Sequence, residues 1–208
     1  MKTMLFKHIF MKIRQNYKRF LSLLFMALLG IGFYAGIEAC SPDMLKTLDK
    51  FYDDNDVYDI MIISNLGLNN KDVDSLSEID GIDKVIGSYE KDTYLKINNE
   101  QYVIKVLGLS DNINKVYLEQ GRLPQNNQEI VVEKKMVLDN NLSIGDYINI
   151  LGGDKKIVGT VISPLYFSTE RPSTNLGSGK VNYYAYTLSD LLKSDYYSVV
   201  YVTINDTV

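Results

Sequence analysis

Cysteine and histidine are almost absent from this sequence of 208 residues, which holds one of each. The single cysteine, Cys40, excludes a disulfide within the chain and any zinc site built from cysteines. The single histidine, His8, excludes most forms of catalysis that depend on a histidine base. These scarcities point away from cysteine and histidine enzymes.

Acidic residues are absent from residues 1–19, although the whole chain holds 26 acidic and 22 basic residues. The basic residues of this segment, which we call the head, are Lys2, Lys7, Lys12, Arg14, Lys18 and Arg19. The remaining residues, 20–208, therefore carry 16 basic and 26 acidic side chains, a net charge of −10. Nucleic-acid binding needs a clustered positive face, so nucleic acid is not an expected partner of this acidic part.

Motifs for binding nucleotides and metal ions are missing as well. The nearest approach to a phosphate-binding loop ends with residues 177–181. Counted back from that end, the first glycine of the motif falls on Thr174, and the hydroxyl residue falls on Val181. The acidic pairs within residues 54–56 and 72–74 lack the further ligands of a calcium loop, and we interpret them as solvated helix ends or faces. The sequence therefore predicts a non-catalytic protein with no cofactor and no metal site.

The strongest positive signal is an uncharged apolar run, Phe20–Ile37. At 1.5 Å per residue a helix of this length is about 27 Å long, close to the ~30 Å of a bilayer's hydrocarbon core. Because the basic head precedes the run and the first acid, Glu38, follows it, the positive-inside rule predicts a cytoplasmic N-terminus. We therefore predict a transmembrane helix at residues 20–39 of a cell-membrane protein, with the chain after about residue 40 outside the cytoplasm.

Two other interpretations of the apolar run remain open. A cleaved signal peptide requires a small-x-small site, and Ile37-Glu38-Ala39 lacks the first small residue. A lipoprotein signal would use Cys40 as the acylated residue, but Glu38 stands where such signals have a small or apolar side chain. A retained helix is therefore the favoured interpretation.

The head and the span each show a pattern that predicts a contact. Gly32 and Gly36 form a GxxxG pair, which allows close approach of another helix, although glycine is also common in membrane helices. In residues 1–19, apolar residues recur every three or four positions between basic ones, which is typical of an amphipathic helix lying at a membrane surface. We expect Arg14, Lys18 and Arg19 to mark the cytoplasmic membrane interface.

After the span, residues 40–56 are predicted to form a stalk helix. Ser41 is a candidate N-cap, Pro42 suits the first helical position, and an apolar face follows from Leu45 to Tyr52. We expect a helix at about residues 43–54, continuing or closely following the membrane helix. It would lift the remainder of the chain off the bilayer.

Residues 57–208, which we call the body, are predicted to be an α+β domain with mostly antiparallel strands. The expected strands are Val57–Ser64, Val85–Tyr89, Thr93–Ile97, Tyr102–Leu109, Glu129–Glu133, Asp146–Leu151, Lys156–Ile162, Val181–Leu188 and Ser198–Ile204. Short helices are expected at Asn70–Ile79, Lys134–Asp139 and Ser189–Lys193. The chain stops directly after a strong strand, so either Val199–Ile204 is the final strand or the body is incomplete at its C-terminal end.

Tyrosine is abundant, with sixteen residues in the chain. Several fall in or directly before the last two predicted strands, namely Tyr183, Tyr184, Tyr186, Tyr196, Tyr197 and Tyr201. Alternating tyrosine is ordinary strand composition, and a ligand-binding surface is the alternative interpretation.

Several segments together resemble a known family. They are Gly121-Arg122-Leu123-Pro124, Glu129–Val132, Leu142–Ile150 and Ile157–Val161, which follow the basic head, the span and the stalk. Their order is similar to the N-terminal part of the permease subunits of FtsX-like, MacB-type ABC transporters. The resemblance covers nearly the whole chain, and it consists of turn glycines and apolar strands rather than catalytic residues.

The resemblance implies a function that composition alone does not reveal. Such permeases have a first membrane helix before an extracytoplasmic core domain, followed by further membrane helices, so this chain would be part of a longer subunit. They pair with a second permease subunit, identical or different, and with a cytoplasmic ATPase that hydrolyses the ATP. Mechanical coupling then exports or extracts lipids, peptides or antibiotics. The alternative function is a membrane-anchored extracytoplasmic binding or scaffolding module without energy coupling.

Overall fold

The computed structural model describes residues 2–166 and 170–205. It separates into two compact units, Met1–Lys50 and Phe51–Val208. The predicted chain end at residues 206–208 and the predicted roles of the Lys2 and Leu5 side chains lie outside the described part.

The first unit consists of helix. Helix α1 is Lys2–Gln15 and helix α2 is Tyr17–Asp54, so the last turn of α2 belongs to the second unit. The hydrogen-bond ladder continues through Asn16, whose N–H donates to the carbonyl of Lys12 at 3.1 Å and whose carbonyl accepts from Phe20 at 3.0 Å. The boundary between the two helices therefore lies at Asn16, within the segment predicted as one head helix.

Helix α2 has 38 residues and is long and apolar enough to cross a membrane. Its large apolar side chains are exposed, for example Leu29 at 72% and Phe33 at 73%. Lipid is the solvent that such a surface suits, so the structure has one candidate membrane anchor near the N-terminus, as predicted.

The predicted helix start at Ser41 is wrong. Pro42 lies inside α2, and the helix runs from the span through the stalk segment without ending. A proline inside a helix removes one backbone hydrogen bond and crowds the carbonyl four residues back, so Pro42 weakens the helix locally without ending it. Of the two forms expected for the stalk, the structure has the continuous one.

Within the described part of the second unit, ten strands alternate with three short helices and one 3-10 turn. The strands are β1 (Ile60–Ile62), β2 (Ile82–Ser88), β3 (Glu90–Ile97), β4 (Glu100–Gly108), β5 (Tyr117–Gly121), β6 (Glu129–Glu133), β7 (Tyr147–Ile150), β8 (Gly153–Ile162), β9 (Tyr183–Thr187) and β10 (Val199–Ile204). The helices are α3 (Asn70–Ser77), α4 (Lys134–Asn140) and α5 (Ser189–Leu192), and the 3-10 turn is Pro164–Tyr166.

The strands form two sheets. The small sheet has the order β1-β10-β2 and is antiparallel throughout. The large sheet has the order β3-β4-β9-β6-β8-β5, with β7 also paired to β8. Only β4·β9 and β6·β8 are parallel among the described pairs, so the α+β class with mostly antiparallel strands is confirmed.

Apolar residues fill both faces of each sheet. One face of the large sheet packs against α4 around Ile104, Ile130 and Met136, which are fully buried. Its other face packs against the 3-10 turn. The small sheet buries Val200 and Val202 beneath α3. Because each face has its own cluster of buried side chains, the body does not depend on the membrane helix for its core.

Local sequence signals explain most of the turns and caps. Asn98 and Asn99 both adopt positive φ in the β3–β4 hairpin, as a two-residue type I′ turn requires. Asn69 caps α3, as predicted, because its side chain accepts from Lys71 N–H while its own N–H donates to Asp72. Of the turn glycines in the segments that resemble the family, Gly145 lies in a turn with a φ of +107°, whereas Gly121, with a φ of +81°, is the last residue of β5.

Three details of the predicted body are wrong. The first strand is only Ile60–Ile62, because the chain on both sides of it follows turns rather than a ladder. Strand β5 was not predicted, since its sequence YLEQG has no apolar alternation. Ile79 was expected on the apolar face of α3, but that helix ends at Ser77 and Ile79 is 52% exposed.

Candidate functional site at the junction of the long helix and the body

The end of α2 is closed by a defined backbone motif. The N–H of Val57 donates to the carbonyl of Tyr52 at 3.0 Å, and the N–H of Asp56 donates to the carbonyl of Asp53 at 3.1 Å. Asp56 adopts a left-handed φ of +47°. This is the Schellman arrangement, which usually has glycine at the left-handed position. An aspartate tolerates that conformation better than most side chains, and here its carboxylate has a further role.

The residues that follow α2 are hydrogen-bonded to a loop from the middle of the chain. Asn114 N–H donates to the carbonyl of Asp56 at 2.8 Å, and Lys115 N–H donates to the carbonyl of Asn55 at 2.9 Å. The side-chain oxygen of Asn114 accepts from Tyr58 N–H at 3.0 Å. Asn55 is buried, and its amide donates back to the carbonyl of Phe51 in the last turn of α2. We call Phe51–Tyr58, with its partners, the junction.

The Asp56 carboxylate joins two lysines from separate parts of the fold. Its oxygens lie 2.6 Å from Lys84 Nζ on β2 and 2.5 Å from Lys115 Nζ in the loop before β5. Hydrogen bonds from Lys115 and then Lys84 hold the pKa of Asp56 below its usual value, and the same contact raises the pKa of Lys84. All three side chains are partly exposed, so we regard this cluster chiefly as a geometric constraint rather than a source of stability.

A second set of contacts ties the junction to the small sheet. Asp59 N–H donates to the carbonyl of Val202 at 2.9 Å, and the Asp59 carboxylate accepts from Ile204 N–H at 2.7 Å. The rings of Tyr58 and Tyr201 pack with their centroids 4.9 Å apart. The polypeptide that leaves α2 is therefore fixed within a few residues to β10, the central strand of the small sheet.

The contacts of the junction include backbone hydrogen bonds and one ion cluster around Asp56. Within the described residues, no group of three or more histidine, cysteine, aspartate and glutamate side chains could hold a metal ion. Lysine ammonium groups occupy both oxygens of the Asp56 carboxylate.

The residues predicted from the sequence lie in the other unit. Gly32 and Gly36 are on α2, and a Cβ built on either would meet no described atom within 4 Å. Arg14 on α1 and Lys18 and Arg19 on α2 are exposed, and none of them has an ion-pair partner among the described residues. The structure does not explain these five residues through contacts within the chain, so their predicted roles stay predictions.

The junction is not among the sites predicted from the sequence. The helix end predicted near residues 53–56 is confirmed. The lysine partners of Asp56 are 28 and 59 residues away along the chain, so no local pattern could assign them. The signal available in the sequence was Asn55-Asp56 after a helical pattern, because asparagine and aspartate favour a left-handed cap.

The tyrosine-rich strands are part of the core. Tyr183, Tyr184, Tyr186 and Tyr201 are each at most 5% exposed. Tyr184 stacks on Tyr166 with ring centroids 3.7 Å apart. Burial raises the pKa values of these phenols. A ligand surface across the whole tyrosine set is therefore excluded, and Tyr196, at 54% exposure, is the member that faces solvent.

Solved structures offer a comparison with known proteins, whereas no family model and no curated protein matches the chain. The extracellular domain of the noncanonical ABC-type transporter YknZ from Gram-positive bacteria is 19% identical, with 69% of this chain and 76% of that one covered and a TM-score of 0.48. The periplasmic region of MacB from Actinobacillus actinomycetemcomitans is 18% identical, with 68% and 66% covered and a TM-score of 0.44.

The resemblance expected from the sequence is thus also found among solved structures. At these TM-scores the likeness supplies no functional detail. The function of this chain is therefore argued from its own residues.

Proposed function

We propose that this chain is the N-terminal part of a permease subunit of an ABC transporter. In this proposal it couples a cytoplasmic ATPase mechanically to an extracytoplasmic domain, for export or extraction of lipids, peptides or antibiotics. The observation that carries the proposal is the continuity of α2 from the apolar span to Asp54, directly before the bonded junction. The chain itself is proposed to be non-catalytic, with ATP hydrolysis in the partner.

Continuity of the helix favours coupling over simple anchoring. At 1.5 Å per residue, α2 continues for about 26 Å from Glu38 to Asp54 beyond the apolar run. A module that only needs to stay near the membrane can use a flexible Gly/Ser-rich or polar linker. Here helix replaces such a linker, and the first residues after it are hydrogen-bonded to the body. A stiff connection of this kind supports the permease over the alternative of an anchored binding or scaffolding module.

The exposed basic residues and glycines support two further parts of the proposal, namely the orientation in the membrane and the contact with a second permease subunit. Arg14, Lys18 and Arg19 would lie at the cytoplasmic membrane surface, with the body outside, in accordance with the positive-inside rule. Gly32 and Gly36 weaken a helix by about 1 kcal/mol each relative to alanine, and no described neighbour requires them. Close approach of a helix from a second permease subunit would explain both.

A linker insertion tests the coupling directly. The full-length subunit with Gly-Ser-Gly inserted after Asp54 is reconstituted with its ATPase, and a reporter at Tyr147→Cys in a Cys40→Ser background records ATP-dependent changes in the body. The matched control carries the same insertion between Ser194 and Asp195, in an exposed loop. We expect the first insertion to abolish the ATP-dependent signal while the ATPase still co-purifies, and the control to retain it.

Two results would contradict the proposal. If the full-length subunit never co-purifies with an ATPase from its native membranes, the anchored module becomes the better account. If the insertion after Asp54 leaves the ATP-dependent signal unchanged, coupling does not depend on α2.

A further inference from the structure

The free edges of the two sheets differ in how they are protected. An exposed strand edge normally carries charged side chains that discourage pairing with another chain. Edge strand β2 carries Asp83 and Lys84, and edge strand β3 carries Lys91 and Lys96. Strand β1 pairs only with β10 among the described strands, and its sequence, together with the next residue, is Ile-Met-Ile-Ile. This edge lacks the charges that β2 and β3 have.

The side chains along this edge are also exposed. Ile60 is 45% exposed, Met61 46%, and Ile63 65%. Leu66 follows at 93%, which is the highest exposure of any large apolar side chain in the described body. We call Ile60–Ile63, with Leu66, the β1 edge.

Leu66 is held in place rather than hanging on a loose loop. The N–H of Gly67 donates to the carbonyl of Ser64, and the N–H of Leu66 donates to the Ser64 hydroxyl at 3.2 Å. Gly67 has a φ of +84°, and a Cβ at that position would come within 2.6 Å of the Tyr196 ring. The turn therefore presents an apolar side chain to solvent in one fixed arrangement, which lowers the entropic cost of binding through it.

We propose that the β1 edge pairs with the same edge of a second copy of this chain, antiparallel about a two-fold axis normal to the sheet. With such an axis, the odd-numbered residues of both β1 strands lie on one face of the joined sheet and the even-numbered residues lie on the other. The same surface of each copy then forms the contact, as an isologous interface requires. With Ile62 on the axis, Met61 of one copy lies opposite Ile63 of the other, so the two exposed apolar positions meet. Asp59 lies opposite Asn65, so no like charges face each other.

The β1 edge is short, so we expect the pairing to form only between chains anchored in the same membrane. A stable interface between freely diffusing proteins buries about 800 Å² per partner, which is more than a few strand residues provide. Two chains held in one membrane by α2 experience a much higher effective concentration, so a weak contact suffices. We therefore expect pairing in reconstituted membranes. The inference uses the proposed function only for the presence of the membrane anchor, and does not require an ATPase.

Mixed disulfide formation tests the register. Two differently tagged full chains in a Cys40→Ser background, one with Met61→Cys and one with Ile63→Cys, are reconstituted together in vesicles and oxidised. We expect the disulfide between the two tags to exceed that of the Met61→Cys chain with itself at least several-fold. The matched control is Lys96→Cys on the β3 edge, which should give only background.

Charged substitution provides the second measurement. Met61→Lys and Ile63→Lys, at exposed positions, should lower the dimer fraction in vesicles, counted by single-molecule photobleaching, whereas Met61→Thr should largely preserve it. The proposal is overturned if the mixed disulfide does not exceed the Lys96→Cys background, or if the lysine variants dimerise as the parent chain does. ATPase co-purification is scored on the same preparations, so failure of pairing and failure of coupling are distinguishable.

Discussion

The two units of this molecule use their apolar residues in opposite ways. In the helical unit, side chains such as Leu29 and Phe33 are more than two-thirds exposed, whereas in the body side chains such as Ile104 and Ile130 are fully buried. The body therefore has its own core, and the helix has surface that this chain does not cover. This difference indicates that the body has a core made from its own residues, and it agrees with α2 as a candidate membrane span.

The largest expected effect is a loss of unfolding free energy that a core substitution in the body causes and a substitution in the helix does not. Ile104→Ala removes a fully buried side chain and should lower the unfolding free energy of the body by about 2–5 kcal/mol. The matched variant Leu29→Ala removes an exposed side chain of α2 and should leave body unfolding unchanged. Chemical denaturation of both variants, followed by tyrosine fluorescence, measures this contrast. Equal losses would mean that the two units fold as one.

The second prediction compares glycines. Gly121 has a φ of +81°, and a Cβ there would come within 2.3 Å of the Val158 carbonyl oxygen, so Gly121→Ala should destabilise the body by about 1–3 kcal/mol. Gly32→Ala meets no described atom and should not affect the body. Thermal unfolding of the two variants tests this, and a stable Gly121→Ala protein would show that the tight β5–β8 pairing can shift.

The third prediction concerns assembly rather than folding. Gly32→Leu should reduce recovery of the second permease subunit several-fold while the body keeps its unfolding midpoint, because a bulky side chain blocks close helix approach. Gly30→Leu, on another face of the same helix, is the control and should have less effect. Pull-down from membranes with two tags measures the recovery. An unchanged yield with Gly32→Leu would remove the GxxxG pair from the proposed interface.

The smallest expected effect is a pH response inside the body. Hydrogen bonds from Arg122 and from the Gln125 backbone N–H lower the pKa of Glu129 to about 2. Because this folded-state pKa is depressed, the stabilisation is present above the ordinary value near 4.5 and is lost as pH falls toward 2. Arg122→Gln should therefore raise the pKa of Glu129, as an NMR titration would report. No change would mean that the Gln125 N–H alone sets the pKa.

Much of the body could be predicted because local patterns determine it. Strand β6 was predicted at its observed bounds, Glu129–Glu133, from a short apolar run with polar ends. The caps and turns at Asn69 and Asn98 also follow from local chemistry. The helix start predicted at Ser41-Pro42 is wrong because a good N-cap signal inside a long helical segment does not interrupt the helix.

The junction and the sheet order depend on residues far apart in sequence, which explains why they were not predicted. Asp56 needs Lys84 and Lys115, and the parallel pairing of β4 with β9 joins residues 79 positions apart, such as Ile104 and Tyr183. Neither leaves a periodic signal. The apolar span and the basic head, by contrast, are properties of single segments, so composition alone predicts them.

The central proposal is that α2 couples the membrane span mechanically to the body. Spin labels at Lys46→Cys on α2 and at Tyr147→Cys in the body, in a Cys40→Ser background, allow the distance distribution to be measured by pulsed electron paramagnetic resonance in reconstituted membranes. We expect a narrow distribution that broadens when Gly-Ser-Gly is inserted after Asp54. A distribution that is equally broad with and without the insertion would contradict mechanical coupling through the helix.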